Sequence, residues 1–185
     1  MSELADYSGE YDPEFSHDKF TKEMLLQLLQ VYSEYILRID GFWYLTVMNR
    51  WGNDVAVDCD IEVWEKAKLF ELKSISEACK IQGNDVVTFM KYLQACPWVV
   101  RSECEMDIKN NNHAILTHYT CPTLFALEKE GKGREKRQCS EIDAKFIAMM
   151  AHYFNPEIQV TPLKLPPRES ENDICCQWEF KLDRS

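Results

Sequence analysis

The chain has 185 residues, a hydrophobic fraction of 45% that can fill a core, and a formal net charge of −10. That balance excludes a nucleic-acid binder, which needs a basic stripe to meet phosphates; the densest basic run, Lys132 to Arg137, reads as a solvated loop. No apolar run approaches the roughly 18 residues of a membrane span. The acidic N-terminus lacks the basic and apolar segments of a signal peptide, so a cytoplasmic location without membrane partners is expected.

Residues 1–18 form an acidic, turn-rich arm expected to wrap the surface. Thr21 is a plausible cap for a helix whose apolar stripe is Leu25, Leu28, Leu29, Tyr32 and Ile36. Asp40-Gly41 reads as a break, after which 42–51 (F-W-Y-L-T-V-M-N-R-W) is apolar on nearly every side. Such a segment is deeply buried or lines a cavity, and Phe42 and Trp43 are its candidate ligand-binding residues. Gly52-Asn53-Asp54 restarts a helix over 54–80, with a kink expected at Asp58-Cys59-Asp60; Asp54, Asp58 and Asp60 read as capping residues. Gly83-Asn84-Asp85 repeats the stop-and-cap pattern before a helix over 85–95, which Pro97 ends.

Beyond Pro97 the periodicity changes from three-and-four spacing to alternation. Strands are predicted over 98–108 and 113–120, joined by a turn at Asn110-Asn111-Asn112. A helix with proline in its first turn follows over 122–130, and another begins at Cys139 or Ser140 and closes at Asn155-Pro156. Strands over 158–165 and 174–182 complete the chain. The predicted fold is α+β: an N-terminal half of about four helices over 19–96, packed on a C-terminal ββααββ unit over 97–185 with a four-stranded antiparallel sheet.

In a reducing compartment, eight cysteines point to packing, metal binding or catalysis rather than disulfides. Four gather in the C-terminal third: Cys121 in H-Y-T-C-P, Cys139 ahead of Glu141 and Asp143, and the pair Cys175-Cys176. The predicted topology brings Cys121, Cys139 and one of the pair to one end of the sheet. Alternation puts Cys176 with Trp178 and Phe180 on the buried face and Cys175 with Gln177 and Glu179 on the wetter one. Cys121, Cys139 and Cys176, with His118, Glu141 or Asp143 as a fourth ligand, are therefore the candidate metal set, for zinc or iron. Cys139 is the candidate nucleophile, with Asp143 or Glu141 to move protons. Buried cysteines also fill cores as inert small hydrophobes, the reading given to Cys59, Cys79, Cys96 and Cys104.

The order C-P-x-L, C-S-E-I-D, F-N-P-E-I-x-V and D-x-C-C-x-W-x-F resembles the L-2-amino-thiazoline-4-carboxylic acid hydrolase-like proteins. The matching positions here are Cys121-Pro122, Cys139 with Asp143, and Cys176 with Trp178 and Phe180. The last strand also resembles the small-molecule-binding domain of four-vinyl reductase-like proteins, whose C-terminal cysteines are implicated in metal binding. The whole chain is similar to an uncharacterised group of bacterial and archaeal cytosolic proteins sharing D-G-F-W, W-G-N, C-P-T-L, L-K-L-P-P-R and I-C-C-x-W-E-F.

Three functional expectations follow. The first is a cytosolic small-molecule-binding protein with its pocket between the helical half and the sheet. The second is a hydrolase of a small cyclic amidine or thioether such as L-2-amino-thiazoline-4-carboxylate, with Arg168 or Arg134 holding the substrate carboxylate. The third is a non-catalytic scaffold that forms a homodimer.

Overall fold

The computed structural model describes residues 4–183 and has the α+β architecture that the alternation at the C-terminal end predicts. Helix α1 (Lys22–Trp51) starts where Thr21 accepts the Met24 N–H at 3.2 Å, the capping bond expected from its sequence. It runs through Asp40-Gly41 without interruption, so residues 20–96 hold three helices rather than four. A glycine in a helix interior costs about 1 kcal/mol, and side-chain bonds on either side of it offset that. Asp40 accepts the Trp64 indole N–H at 2.7 Å, and the Tyr44 hydroxyl donates to Asn53 at 2.8 Å.

Gly52 alone separates α1 from α2 (Asn53–Ala78), and its φ of 90° is the backbone shape that lets two long helices fold back on each other. Helix α2 is continuous through Asp58-Cys59-Asp60, where a kink was expected. Gly83, at φ 137°, sits so near Thr88 that an added Cβ would lie 2.3 Å from its hydroxyl; Asp85 then caps α3 (Val86–Ala95) through the Thr88 N–H at 2.8 Å. Pro97 opens a one-turn helix, α4 (Pro97–Val100), at the N1 position that proline favours, instead of opening the strand predicted there.

The sheet is antiparallel, with β1 (Cys104–Asn110), β2 (His113–His118), β3 (Gln159–Lys164) and β4 (Cys176–Lys181) in spatial order β1-β2-β4-β3. The last strand thus fills the centre, and Trp178 and Phe180 are its buried anchors. Pro162 lies in β3, at an edge where a missing N–H is tolerated. Between β2 and β3 run α5 (Pro122–Glu130), closed by a left-handed Gly131, and α6 (Arg134–Arg137). A π-helical turn at 138–143 follows and leads into α7 (Ala144–Phe154). Cys139 therefore lies inside a helical run, not at a helix start, and the wide turn swings Gln138, Cys139 and Asp143 toward the core.

Two apolar clusters hold the layers together. Leu72 of α2, five residues of α3 and Met150 of α7 pack against Ala114, Leu116, Trp178 and Phe180 of the sheet. Tyr44, Val47, Ala56 and Val57 of the α1–α2 hairpin meet Ile142 and Phe146 in the second. Because α3 belongs to the sheet's cluster, the helical half and the sheet half share one core. Among the described residues, no helix is long and apolar enough to cross a membrane.

Candidate functional site

Where the two clusters meet, the packing leaves a cavity of about 220 Å³, walled by α1, α2, the α3–α4 corner, β2, the start of α5, the π-helical turn, α7 and β4. It lies between the helices and the sheet, where the sequence places it, but its aromatic walls are Trp64, Trp98 and Trp178. Phe42 is not among the lining residues and is 62% exposed, while Trp43 packs on the hairpin cluster. Both correct the expected pocket wall. The reason is the uninterrupted α1, whose rotation sets Leu37 and Asp40 inward and turns Phe42 away.

All four C-terminal cysteines line this cavity, together with His118 and Asp143. Cys176 stands opposite His118 across the β2–β4 pairing, and Cys121 caps α5 by accepting the Leu124 N–H at 3.4 Å. Cys175 is buried, 1% exposed, which corrects the expectation of a wetter thiol. Its N–H reaches the His118 carbonyl at 2.8 Å and its thiol the Tyr119 carbonyl at 3.3 Å. The chain leading from β2 into α5 folds over that end of the sheet. The face shared by Gln177 and Glu179 is the half-exposed one from the next alternate residue onward.

Burial pushes these thiols up, Cys121 to about 11 and Cys176 to about 12, and raises Cys175 against the pull of the Arg168 charge. Cys139 is raised further, by burial first and then by the negative charge of Asp143. A low-pKa thiolate needs a cation or metal at hand, so Cys139 is a protonated thiol at neutral pH and does not fit the nucleophile expected of it. Nor do the thiols form a ligand set for the expected zinc or iron. Among the described residues, no three His, Cys, Asp or Glu side chains are close enough to hold a metal ion.

Glu141 points away from the cavity and pairs with Arg137 at 2.9 Å, so Asp143 alone of the two expected carboxylates is in place. Arg168 is likewise elsewhere: its guanidinium binds both carboxylate oxygens of Glu128, at 2.9 and 2.6 Å, and lies over Phe125. Arg134 pairs with Glu130 at 2.6 Å. Neither arginine is free to hold a substrate carboxylate in the cavity.

Sequence reasoning missed the charged groups on the helical wall. Asp40, Asp60 and Lys68 all line the cavity, and Asp60 and Lys68 are only 3% and 6% exposed. Lys68 donates to Glu71 at 3.0 Å and lies 4.1 Å from the Trp98 ring centroid and 5.3 Å from that of Trp64. Glu71 also accepts the Tyr92 hydroxyl at 2.6 Å and the Trp98 indole at 2.8 Å, so this ion pair is saturated. Burial lowers the Lys68 amine from its ordinary value, with Glu71 working against that.

The acids facing this pair have no such partner. Burial, then the charges of Asp40 and Asp143, raises Asp60 to about 7. Asp143 is raised to about 6 by burial, against the Gln138 amide that donates to it at 3.2 Å. Asp60 Oδ1, His118 Nδ1 and Trp178 Nε1 are buried without any hydrogen-bond partner. His118 is held below its ordinary pKa by burial, so it is neutral at pH 7. The sequence signal was present: Asp60, Trp64 and Lys68 recur every four residues on the face that also carries Ala56 and Leu72. Charge on an apolar stripe is the mark of a functional or paired group.

No curated protein and no solved structure matches the chain. Residues 18–182 match the model of a family of unknown function, DUF6125, and the chain belongs to that family.

Proposed function

We propose that the protein binds a small molecule in the cavity between its helical hairpin and its sheet, in the cytoplasm. One observation carries this: a cavity of about 220 Å³ keeps buried polar atoms of Asp60, His118 and Trp178 unpartnered on its wall. An unsatisfied buried polar group costs about 1–3 kcal/mol, and a bound molecule or water recovers it. An apolar cavity of about 150 Å³ admits benzene, so this one suits a ligand of about ten non-hydrogen atoms. The test is ligand-observed NMR with an aromatic fragment set of that size, repeated on Cys139→Met, which adds volume at the wall. Fragments should bind the wild type and lose binding in the variant while its thermal unfolding stays cooperative. Unchanged binding in the variant sinks the reading.

A second reading, hydrolysis of a small cyclic amidine or thioether, is favoured by the two acids poised near neutrality. Ionised Asp143 takes a proton from water, and the hydroxide adds to the ring carbon. The ring C–N or C–S bond then breaks, and protonated Asp60 supplies the proton that the departing heteroatom takes up. Slow consumption of 2-amino-thiazoline-4-carboxylate by the wild type, abolished in Asp143→Asn, would support it; no consumption by the wild type rejects that substrate.

A further inference from the structure

We propose that the cavity's ligand is a small organic cation with N–H donors, an ammonium or guanidinium carried on an apolar body; this rests on the small-molecule reading above. Three carboxyl groups from three separate elements, Asp40, Asp60 and Asp143, line one cavity. The one cation among the lining residues, Lys68, is already committed to Glu71 and two indole rings. The Lys68 charge reaches Asp40 and Asp143 and offsets part of their burial, but Asp60 has no cation acting on it, and three carboxyl groups in one desolvated space are costly until a second cation enters.

A second observation points the same way. Asp60, 3% exposed, has an Oδ1 acceptor with no partner, although the Trp64 indole that bonds Asp40 also acts on its carboxyl group; Asp143 accepts from Gln138. The vacant acceptor calls for a donor from the ligand. Trp178, 2% exposed, has an indole N–H that meets only the Cys176 sulfur, a weak acceptor, and so can take an acceptor or a π-face on the ligand's other end. A bare metal ion is a poor match, since among the described residues no three ligating side chains converge. A guanidinium spans wider spacings, with five N–H donors in one plane. The tryptophan walls suit both its charge and an apolar body.

The test compares phenylguanidine with phenylurea, which are nearly isosteric and differ in charge, by calorimetry and by the indole N–H resonance of Trp178. Phenylguanidine should bind at least about tenfold more tightly, the worth of one charge-assisted hydrogen bond. Asp60→Asn should erase most of that preference, because it removes the charge while its amide oxygen can still accept an N–H. Equal affinity in the wild type overturns the cation class and leaves the small-molecule reading standing. If neither compound moves the Trp178 resonance, the cavity reading falls and the cation with it.

A different surface carries a second proposal: we infer that the outer face of α1 packs against the same face of a second copy of the chain. Leu25, Leu29, Tyr32, Ile36 and Ile39 follow a four-three-four-three spacing, the seam of a helix that pairs with a helix, and Phe42 extends it. Each of these six is between 39% and 62% exposed. At roughly 200 Å² per large side chain, the six present on the order of 600 Å² of apolar surface. Monomers rarely leave so large a patch open, and each partner in a standard interface buries about 800 Å².

The occupant is argued from charge and symmetry. Between Met24 and Ile39 the charged residues are Glu34 and Arg38, and these pair with each other at 2.6 Å. Two chains of net charge −10 can therefore meet here without opposing like charges. The seam is close to symmetric about Tyr32, so an antiparallel two-fold contact sets Leu25 against Ile39. Analytical ultracentrifugation should find a dimer in the wild type and a monomer in Ile36→Glu, with Leu29→Lys as a second disrupting variant. A wild type that is monomeric at micromolar concentration overturns the proposal, and so does a dimer that survives both substitutions.

Discussion

The outer face of α1 and the cavity wall depart from the usual partition of residues in opposite senses. On α1, leucines, isoleucines and tyrosines face water; in the cavity, three carboxyl groups, an amine and an imidazole are withdrawn from it. Between them the sheet core follows the rule, with Phe89 and Phe180 fully buried and packed edge to face. Exposed apolar surface is completed by another apolar surface, and a buried unpartnered polar atom by a ligand. The two exceptions therefore mark two different kinds of incompleteness in one molecule, one at its outside and one at its inside.

The ordinary region supplies the largest effect. Phe180 has no exposed surface and meets Phe89 edge-on at 5.2 Å between centroids. Phe180→Ala should lower unfolding free energy by about 3–5 kcal/mol, measured by urea denaturation. A loss below about 1 kcal/mol would mean that the sheet core is loosely packed and that the contrast with α1 is overdrawn.

The cavity acids give the next effect, and its sign is opposite to that of ordinary ion-paired carboxylates. Their folded-state pKa values, about 7 for Asp60 and about 6 for Asp143, lie above the usual carboxylate range. The folded protein then holds protons that the unfolded chain has released, so stability is greatest below the unfolded pKa and falls as pH rises through those values. Asp40, raised by burial, acts in the same direction; His118, held low, opposes it below its own ordinary pKa. Burial lowers the Lys68 amine and Glu71 works against that, and Lys68 is common to the wild type and the variant below. At about 1.4 kcal/mol per pKa unit, the loss between roughly pH 5 and roughly pH 8 is on the order of 3 kcal/mol. Denaturation of the ligand-free protein at the two pH values should show it, and the Asp60→Asn/Asp143→Asn double variant should lose most of it while His118 stays common to both. Stability that instead climbs over this window would mean the acids are paired in solution.

These two results bear on what was legible beforehand. The sheet was, because alternation in 113–118 and 176–181 and the turn at Asn110 to Asn112 leave little choice of pairing. So was the Pro122–Glu130 helix, with proline at its first position and Gly131 just past its end. The thiols' shared location was legible too, since Cys121 and Cys176 flank paired strands. The acids were not. Asp40 beside Gly41 looks like a break, and Asp60 near Gly52 looks like a cap; only the packing of α1 against α2 turns both inward. Local propensities of about 1 kcal/mol decided those readings, and tertiary contacts outweighed them. The reach of Arg168 was misjudged for the same reason, because its partner Glu128 is 40 residues away in sequence.

A smaller effect tests whether surface charge matters outside the cavity. Arg168→Ala removes the bidentate pair to Glu128 and the contact with Phe125, and should cost about 1 kcal/mol without altering phenylguanidine binding. Altered binding would show that the arginine communicates with the cavity after all, through Cys175 beside it.

The smallest effect belongs to α1 and separates folding from association. Ile36 is 41% exposed, so Ile36→Ala removes little buried surface from the isolated chain, and at high dilution its cost should stay below about 0.5 kcal/mol. A folded dimer adds stability that grows with protein concentration, because association draws on the native state alone. The same substitution should therefore cost more as concentration rises, with the wild-type midpoint climbing and the variant's lagging behind. A concentration-independent difference would place Ile36 in the monomer's own core and remove the distinction between α1 and the rest of the molecule. A cost below 0.5 kcal/mol at every concentration would instead leave the face exposed and unpaired, and the apolar seam without a second copy to meet.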